Sequence, residues 1–365
     1  MSPLFKVIRQ TPLLWLLVFV PLVLAGEIWM PHEHTWLFVL SVLAIVPLAA
    51  LLSHATESVA AKTGDSVGGL LNATLGNLTE LVIALTALSA GQYMLVKASL
   101  AGVIVTNTLF MLGASFLLGG LKFHVQEFNR ATARLQSTLL LLATFALLVP
   151  SIISNADSNT SKGTFLQDLS LGLSILLIVV YGLGMLFSLK THSSFFKSAN
   201  SEEHHEESWP MALALTVLAG VTVLVALVSE VFVSSVQVAA ETFGMTPAFV
   251  GFIVVALVGG AAEMVSAFAG ARRNRLDLSV SIALGSASQI ALFVAPVMVL
   301  LSYVIGPAPM SLDFWPGAVV IMFMATLTAA IVTNSGRSAW FVGVLLMAVY
   351  LVYAMTLYLL PPTAQ

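Results

Sequence analysis

Long apolar stretches, each near the length of a bilayer-crossing helix, succeed one another from end to end of the chain and are parted by short polar joints. A helix needs about 20 mostly apolar residues to cross a hydrocarbon core. By that measure the pattern predicts eleven spans, at roughly 12–30, 36–54, 67–90, 97–119, 133–153, 168–189, 211–233, 246–270, 276–304, 315–333 and 338–360. Loops and open sheets cannot replace them, because backbone polar groups in lipid must be satisfied within the segment that carries them. The first stretch follows Lys6 and Arg9, as the core of a secretory signal would. Its length, and Trp29 at interface depth, favour a retained helix over a cleaved leader.

Composition agrees with a lipid-covered molecule. Of 365 residues, 59% are apolar and 8% charged, against about a quarter charged in a soluble domain. No long basic run suggests a nucleic-acid partner, and the absence of cysteine removes disulfides and thiolate metal sites. The cations are unevenly placed. With the N-terminus in the cytoplasm, Lys6, Arg9, Lys62, Lys122, Arg130, Arg134, Lys190, Lys197, Arg272, Arg273, Arg275 and Arg337 all fall inside, and Lys97 and Lys162 outside. That bias predicts N-terminus in and C-terminus out. No organellar targeting peptide is evident, so a bacterial-type plasma membrane is expected.

The longest hydrophilic segment, 190–210, contains SEEHHEES (Ser201–Ser208) and divides six spans from five. It reads as a solvated connector, with a cytoplasmic cation attractor as the sharper alternative. Superimposing Glu80 on Glu263 brings Gly68 onto Gly251, Gly76 onto Gly259, Gly102 onto Gly285, Leu109 onto Leu292 and Phe110 onto Phe293. With one gap, LLSH (51–54) lies over LVSE (227–230). The expected architecture is therefore all-α: residues 1–35 with a leading helix, a five-helix repeat at 36–189, the acidic loop 190–210, a second repeat at 211–360, and a short tail, 361–365. Five is odd, so the copies enter from opposite sides, and inverted repeats place substrate near the midplane where the halves meet.

The matched carboxylates carry the chemistry. An ionised carboxylate at the bilayer centre costs about 2.5–3.5 kcal/mol on insertion scales, and no Lys or Arg lies in the central part of a span to pair with Glu80 or Glu263. Gly68, Asn72, Gly76 and Glu80, spaced by four, predict a polar, small-residue stripe on one helix face, with Asn77 beside it. The glycines fit both helix packing and local loosening that frees carbonyls as ligands. Thr106 and Asn107 stand level with Ser286 to Gln289, offering neutral oxygens or plain inter-helix hydrogen bonds. Two carboxylates plus amide, hydroxyl and carbonyl oxygens suit Ca²⁺, which takes six to eight such ligands, and admit Mn²⁺ or Cd²⁺. Two close carboxylates in a low dielectric cannot both stay charged when empty, so protons and a divalent cation compete for them. His54 and Glu230, at matched positions of spans 2 and 7, are candidate proton relays or simply polar residues near helix ends.

These stretches also resemble a known family. ATESVAAKTGDSVGGLLNATLGNLTELVIAL (55–85) is similar to the first signature of the Ca²⁺/H⁺ (cation/proton) exchangers, SIALGSASQIALFVAP (281–296) to the corresponding stretch of their second half, and NSGRSAW (334–340) to the loop before their last helix. The resemblance runs through nearly the whole chain from residue 36. It implies a leading helix with two inverted five-helix repeats, and export of cytosolic Ca²⁺ on the proton gradient with no cofactor. By position it implies cation ligands at Asn77 and Glu80, at Gly259, Gly260 and Glu263, and at Ser286 and Gln289. Gly260 stands where the family usually has Asn, removing one side-chain oxygen. Thr79 and Ala262 replace the proline that precedes the motif glutamate in sodium/calcium exchangers, which argues against Na⁺ coupling. Rival readings are a Na⁺- or K⁺-coupled exchanger and a passive divalent channel. An intramembrane enzyme lacks HExxH, a Cys nucleophile and a His ligand set.

Overall fold

Helices form wherever the apolar runs demand them, and in several places continue beyond. The computed structural model describes residues 3–63, 65–156, 162–192 and 209–359. A short amphipathic helix α1 (Pro3–Gln10) precedes a 3₁₀ turn (Pro12–Val18) that runs into α2 (Phe19–Trp29). The first half continues with α3 (His34–Ala60), α4 (Asp65–Leu75), α5 (Leu78–Ser89), α6 (Tyr93–Phe123), strand β1 (Val125–Glu127), α7 (Arg130–Ala156) and α8 (Lys162–Leu186). The second half comprises α9 (Met211–Thr242), α10 (Pro247–Gly259), α11 (Ala261–Arg272), α12 (Leu276–Ser302), α13 (Pro316–Thr333), strand β2 (Arg337–Ala339) and α14 (Trp340–Leu359). The acidic run 201–208, Lys197, the tail 361–365 and the side chain of Asn72 lie outside the described residues.

Nine helices among the described residues are long and apolar enough to cross a membrane, and α10–α11, bent by 59°, make a tenth. This is a multi-pass integral membrane protein. Large side chains such as Leu142, Leu183, Val320 and Leu351 are more than half exposed on the bundle's flanks, an arrangement stable only against lipid tails. The expected span 67–90 is not one helix. It breaks at Gly76 and Asn77 into α4 and α5, so Gly68 and Glu80 do not share a continuous helical face. Among the described residues the spans therefore number nine, or ten with the bent α10–α11 pair, and the expected eleventh is replaced by the shorter α4 and α5. The apolar runs of spans 2 and 7 end at 54 and 233, where polar residues interrupt them. The helices instead run on to Ala60 and Thr242, because hydrophobicity sets the length inside lipid and not where a helix stops.

Packing places the broken helices at the centre. α3 and α9 form the most extensive helix pair, α9 also lies against α5, and α3 also packs on α11. The leading α2 packs on α3 and α9. Around them, α6 crosses α10 at very close range: a Cβ on Gly102 would lie 2.2 Å from the Phe252 carbonyl oxygen. Small residues allow such backbone approach within a membrane. Gly68 does the same against Ala60, whose oxygen would lie 2.2 Å from its Cβ, so this glycine serves packing.

Lys97 is paired with Asp313 at 2.6 Å and donates to Ser311 at 3.4 Å, with 16% of the side chain exposed. The segment carrying Asp313 is itself tied down, since the N–H groups of Leu312 and Phe314 donate to Ser170 and Ser151. Strands β1 and β2 pair antiparallel, with Val125 opposite Ala339 and Glu127 opposite Arg337. Three residues each, they are too short to announce themselves by alternation.

Candidate cation site

Both carboxylates occupy the same place in the same local structure. Asn77 precedes α5 with φ −100° and ψ 30°, and Gly260 precedes α11 with φ −77° and ψ 4°. Each glutamate is the third residue of the helix that follows, in its first turn. Backbone N–H groups there lack intrahelical partners, and the positive end of the helix dipole favours an anion. Broken helices thus supply the polar surroundings that an unbroken one denies to a charge in mid-membrane.

The two breaks meet. A Cβ on Gly259 would lie 3.1 Å from Cγ of Glu80 and 3.6 Å from its Oε1, so the second half's break rests directly on the first half's carboxylate. Glu80 is 8% exposed, and its Oε1 has no hydrogen-bond partner. Glu263 is half-buried, with its enclosed Oε2 equally unpartnered. It lies within electrostatic reach of Glu80 and beside the Ser286 hydroxyl.

Neutral groups from α6 and α12 close the ring. Asn107 Nδ2 donates to Ser286 Oγ at 2.9 Å, Ser286 Oγ donates to Asn77 Oδ1 at 2.7 Å, and Asn77 Nδ2 donates to Gln289 Oε1 at 2.5 Å. This chain joins three helices from both halves. The buried Oδ1 of Asn107 is left without a donor. Gly260 borders that atom, 3.8 Å from where its Cβ would be, and the Met264 methyl lies 3.4 Å away on the same side. Gly76 lies half-buried in the first break. Ile83, Ser99, Leu100, Val103, Val255 and Ile290 enclose a small cavity behind Glu80.

Unpaired buried acceptors are costly unless a cation or proton meets them. Three of them, Glu80 Oε1, Glu263 Oε2 and Asn107 Oδ1, gather here. Among the described residues no group of three or more His, Cys, Asp or Glu side chains forms a metal site. Two carboxylates with neutral oxygens meet here, a donor set whose charge, with both ionised, equals that of one divalent cation.

Other expected members lie elsewhere. Thr106 shares a 3.2 Å hydrogen bond with the Tyr350 hydroxyl and so anchors α14 to α6. His54 stacks on Trp209, ring centroids 4.5 Å apart, with its Nδ1 3.4 Å from Ser58 Oγ. Glu230 is exposed on α9 and electrostatically close to Glu27 of α2. Neither His54 nor Glu230 hydrogen-bonds the carboxylate pair among the described residues. Tyr350 and Met264 were missed by sequence reasoning, since a Tyr or Met in an apolar helix carries no distinguishing signal.

A feature common to both halves marks the level of the site. α6 widens into a π-turn at Thr106–Met111 and α12 at Ile290–Val294, so the matched pairs Leu109/Leu292 and Phe110/Phe293 both fall in them. π-Bulges recur at functional sites.

Comparison with known proteins bears on the same residues. The family model described as sodium/calcium exchanger protein matches residues 33–190 and 213–359. The chain is 39% identical to the Ca²⁺/H⁺ antiporter of Aphanothece halophytica, over 97% of this chain and 98% of that one. It is 41% identical to the Ca²⁺/H⁺ antiporter ChaA of Bacillus subtilis, over 93% and 97%. The crystal structure of the selenium-substituted Ca²⁺/H⁺ antiporter protein YfkE is similar at a TM-score of 0.79 and 38% identity, covering 94% of this chain and 98% of that one.

Proposed function

The chain belongs to the sodium/calcium exchanger protein family, and from that premise we propose that it is a secondary active antiporter exchanging cytosolic Ca²⁺ for protons. The observation that carries this reading is the contact of the Gly259–Gly260 break with Glu80, which joins one carboxylate from each half in a buried ring of oxygens. The relatives named Ca²⁺/H⁺ antiporter, at about 40% identity along nearly their whole length, support the same ions. The family is one of ion exchangers, not enzymes.

The mechanism follows from charge. The bound divalent cation neutralises Glu80 and Glu263 while taking further oxygens from Asn77, Gln289, Ser286 and Asn107, with backbone carbonyls freed at Gly76, Gly259 and Gly260. When it leaves, the pair is stabilised by protons instead. One site thus serves both ions in turn, and lowering the pH weakens apparent Ca²⁺ affinity by competition. Alternating access belongs to the α3–α9 pair, which touches the carboxylate helices of both halves. Two five-helix units, 36–189 and 211–360, flanking the 190–210 loop, fit the two stretches that the family model matches. The N-terminus lies in the cytoplasm of a bacterial-type plasma membrane, on the positive-inside bias. Mn²⁺ and Cd²⁺ compete for the same oxygens.

Radiolabelled Ca²⁺ uptake into acid-loaded vesicles tests the reading. An imposed ΔpH drives uphill uptake, and a Na⁺ or K⁺ jump at constant pH does not. Uptake that follows only the Ca²⁺ gradient would identify a channel, and uptake driven by Na⁺ or K⁺ would identify another exchanger.

Gly260 offers a gain-of-function check. Asn in its place puts an amide beside the orphaned Asn107 Oδ1, once the backbone eases by a few tenths of an ångström where the new Cβ would lie 3.2 Å from the Ala256 carbonyl oxygen. Gly260→Asn is expected to lower the KM for Ca²⁺ by up to about tenfold, the scale of one added polar contact. An unchanged KM in a well-folded variant would place Gly260 outside the ion's shell.

A further inference from the structure

At one end of the bundle six cations converge. Lys122 closes α6, Arg130 opens α7, Arg272, Arg273 and Arg275 surround the α11–α12 turn, and Arg337 opens β2; all six are exposed. Backbone contacts fix them together. Lys122 Nζ donates to the Arg272 carbonyl at 3.2 Å, and Gln126 Nε2 donates to the Ala271 carbonyl and to Asn274 Oδ1, both at 2.9 Å. The β1–β2 pairing sets Arg337 across from Glu127. Gly336, at φ +73°, turns the chain so tightly that a Cβ there would lie 2.9 Å from that of Arg130. Among the described residues none of the six forms an ion pair, and the three segments 119–130, 270–277 and 335–341 hold only Glu127 and Asp277 as acids.

The rim of this collar is apolar. Leu121 is 61% exposed, Val125 55%, Trp340 43% and Phe341 55%, and the Gly120 backbone lies against Trp340. Cations beside exposed aromatic and aliphatic groups match headgroup depth, with phosphate above and acyl chain below. We propose that this collar is a docking site for an anionic phospholipid, its phosphate held by Lys122, Arg272 and Arg337 and its acyl chains laid over Leu121, Val125 and Phe341. Free phosphate would satisfy the cations and leave the apolar rim uncovered, so the lipid is the better fit. The collar joins segments of both halves, and it faces the side from which the proposed cargo arrives. Six positive charges against the two acids Glu127 and Asp277 leave a net positive collar that repels a divalent cation within a Debye length of about 8 Å at physiological salt; a docked anionic lipid offsets that repulsion.

The test needs no transport. The full chain, purified in mild detergent and offered phosphatidylglycerol or phosphatidylcholine, is weighed by native mass spectrometry. The wild type is expected to retain phosphatidylglycerol preferentially. Combined Lys122→Gln, Arg272→Gln and Arg337→Gln is expected to weaken retention about 100-fold, and Arg273→Gln alone about fivefold, near the surface contribution of each charge. A monodisperse Lys122→Arg, Arg272→Lys, Arg337→Lys variant keeps the preference. Equal retention by the Gln triple variant, or displacement of the lipid by millimolar inorganic phosphate, would overturn the proposal.

Discussion

Neutralising either buried carboxylate, by Glu80→Gln or Glu263→Gln, is expected to abolish ΔpH-driven Ca²⁺ uptake, a loss of at least about 100-fold, while the protein still inserts and purifies normally. Gln keeps the volume and one carbonyl oxygen, and an uncharged side chain is less costly in mid-membrane than an ionised one. Folding therefore has nothing to lose. Transport does, because a single remaining carboxylate cannot balance a divalent ion, and a ligand contact to a charged group is worth about 1.5–3 kcal/mol. The two variants should fail alike, since each break delivers its glutamate in the first turn of a helix. Vesicle uptake normalised to inserted protein measures this. Full activity in either variant would remove that residue from the shared site.

The second large effect separates two glycines that the internal repeat makes equivalent. Gly102→Ala places a methyl 2.2 Å from the Phe252 carbonyl oxygen and 2.6 Å from that residue's Cα. Backbone cannot yield as a side chain can, so α6 and α10 must separate, and overpacking of this kind costs about 3 kcal/mol or more. Gly285→Ala meets only Gln136 Nε2, at 3.5 Å, which is ordinary contact, and is expected to change stability by less than about 1 kcal/mol. Thermal unfolding of the two variants in detergent compares them directly. Equal behaviour would mean that α6 and α10 pack more loosely than the structure shows.

What the sequence made legible follows from what lipid forbids. A carboxylate in an apolar run is conspicuous, and Glu80, Glu263 and the amides Asn77, Asn107 and Gln289 stand out for that reason. Most of the helices were equally legible, because backbone in hydrocarbon has few options. Helix ends were not: α3 and α9 outrun their apolar stretches, since nothing in hydrophobicity stops a helix at the water boundary. The break at Gly76–Asn77 was foreshadowed only by glycines that serve equally well in packing, as Gly68 does against Ala60. Long-range pairs were invisible. Lys97 finds Asp313 216 residues away, and Thr106 finds Tyr350 244 residues away, through a fold that no local pattern specifies.

The proposed transport cycle is one exchange reaction at one pair of glutamates. The most direct measurement follows lumenal pH with a trapped dye while Ca²⁺ is added outside voltage-clamped vesicles that start with no pH gradient. Entering Ca²⁺ should expel protons and make the lumen alkaline in the wild type, and do neither in Glu80→Gln. Ca²⁺ entry with no change in lumenal pH would contradict the account.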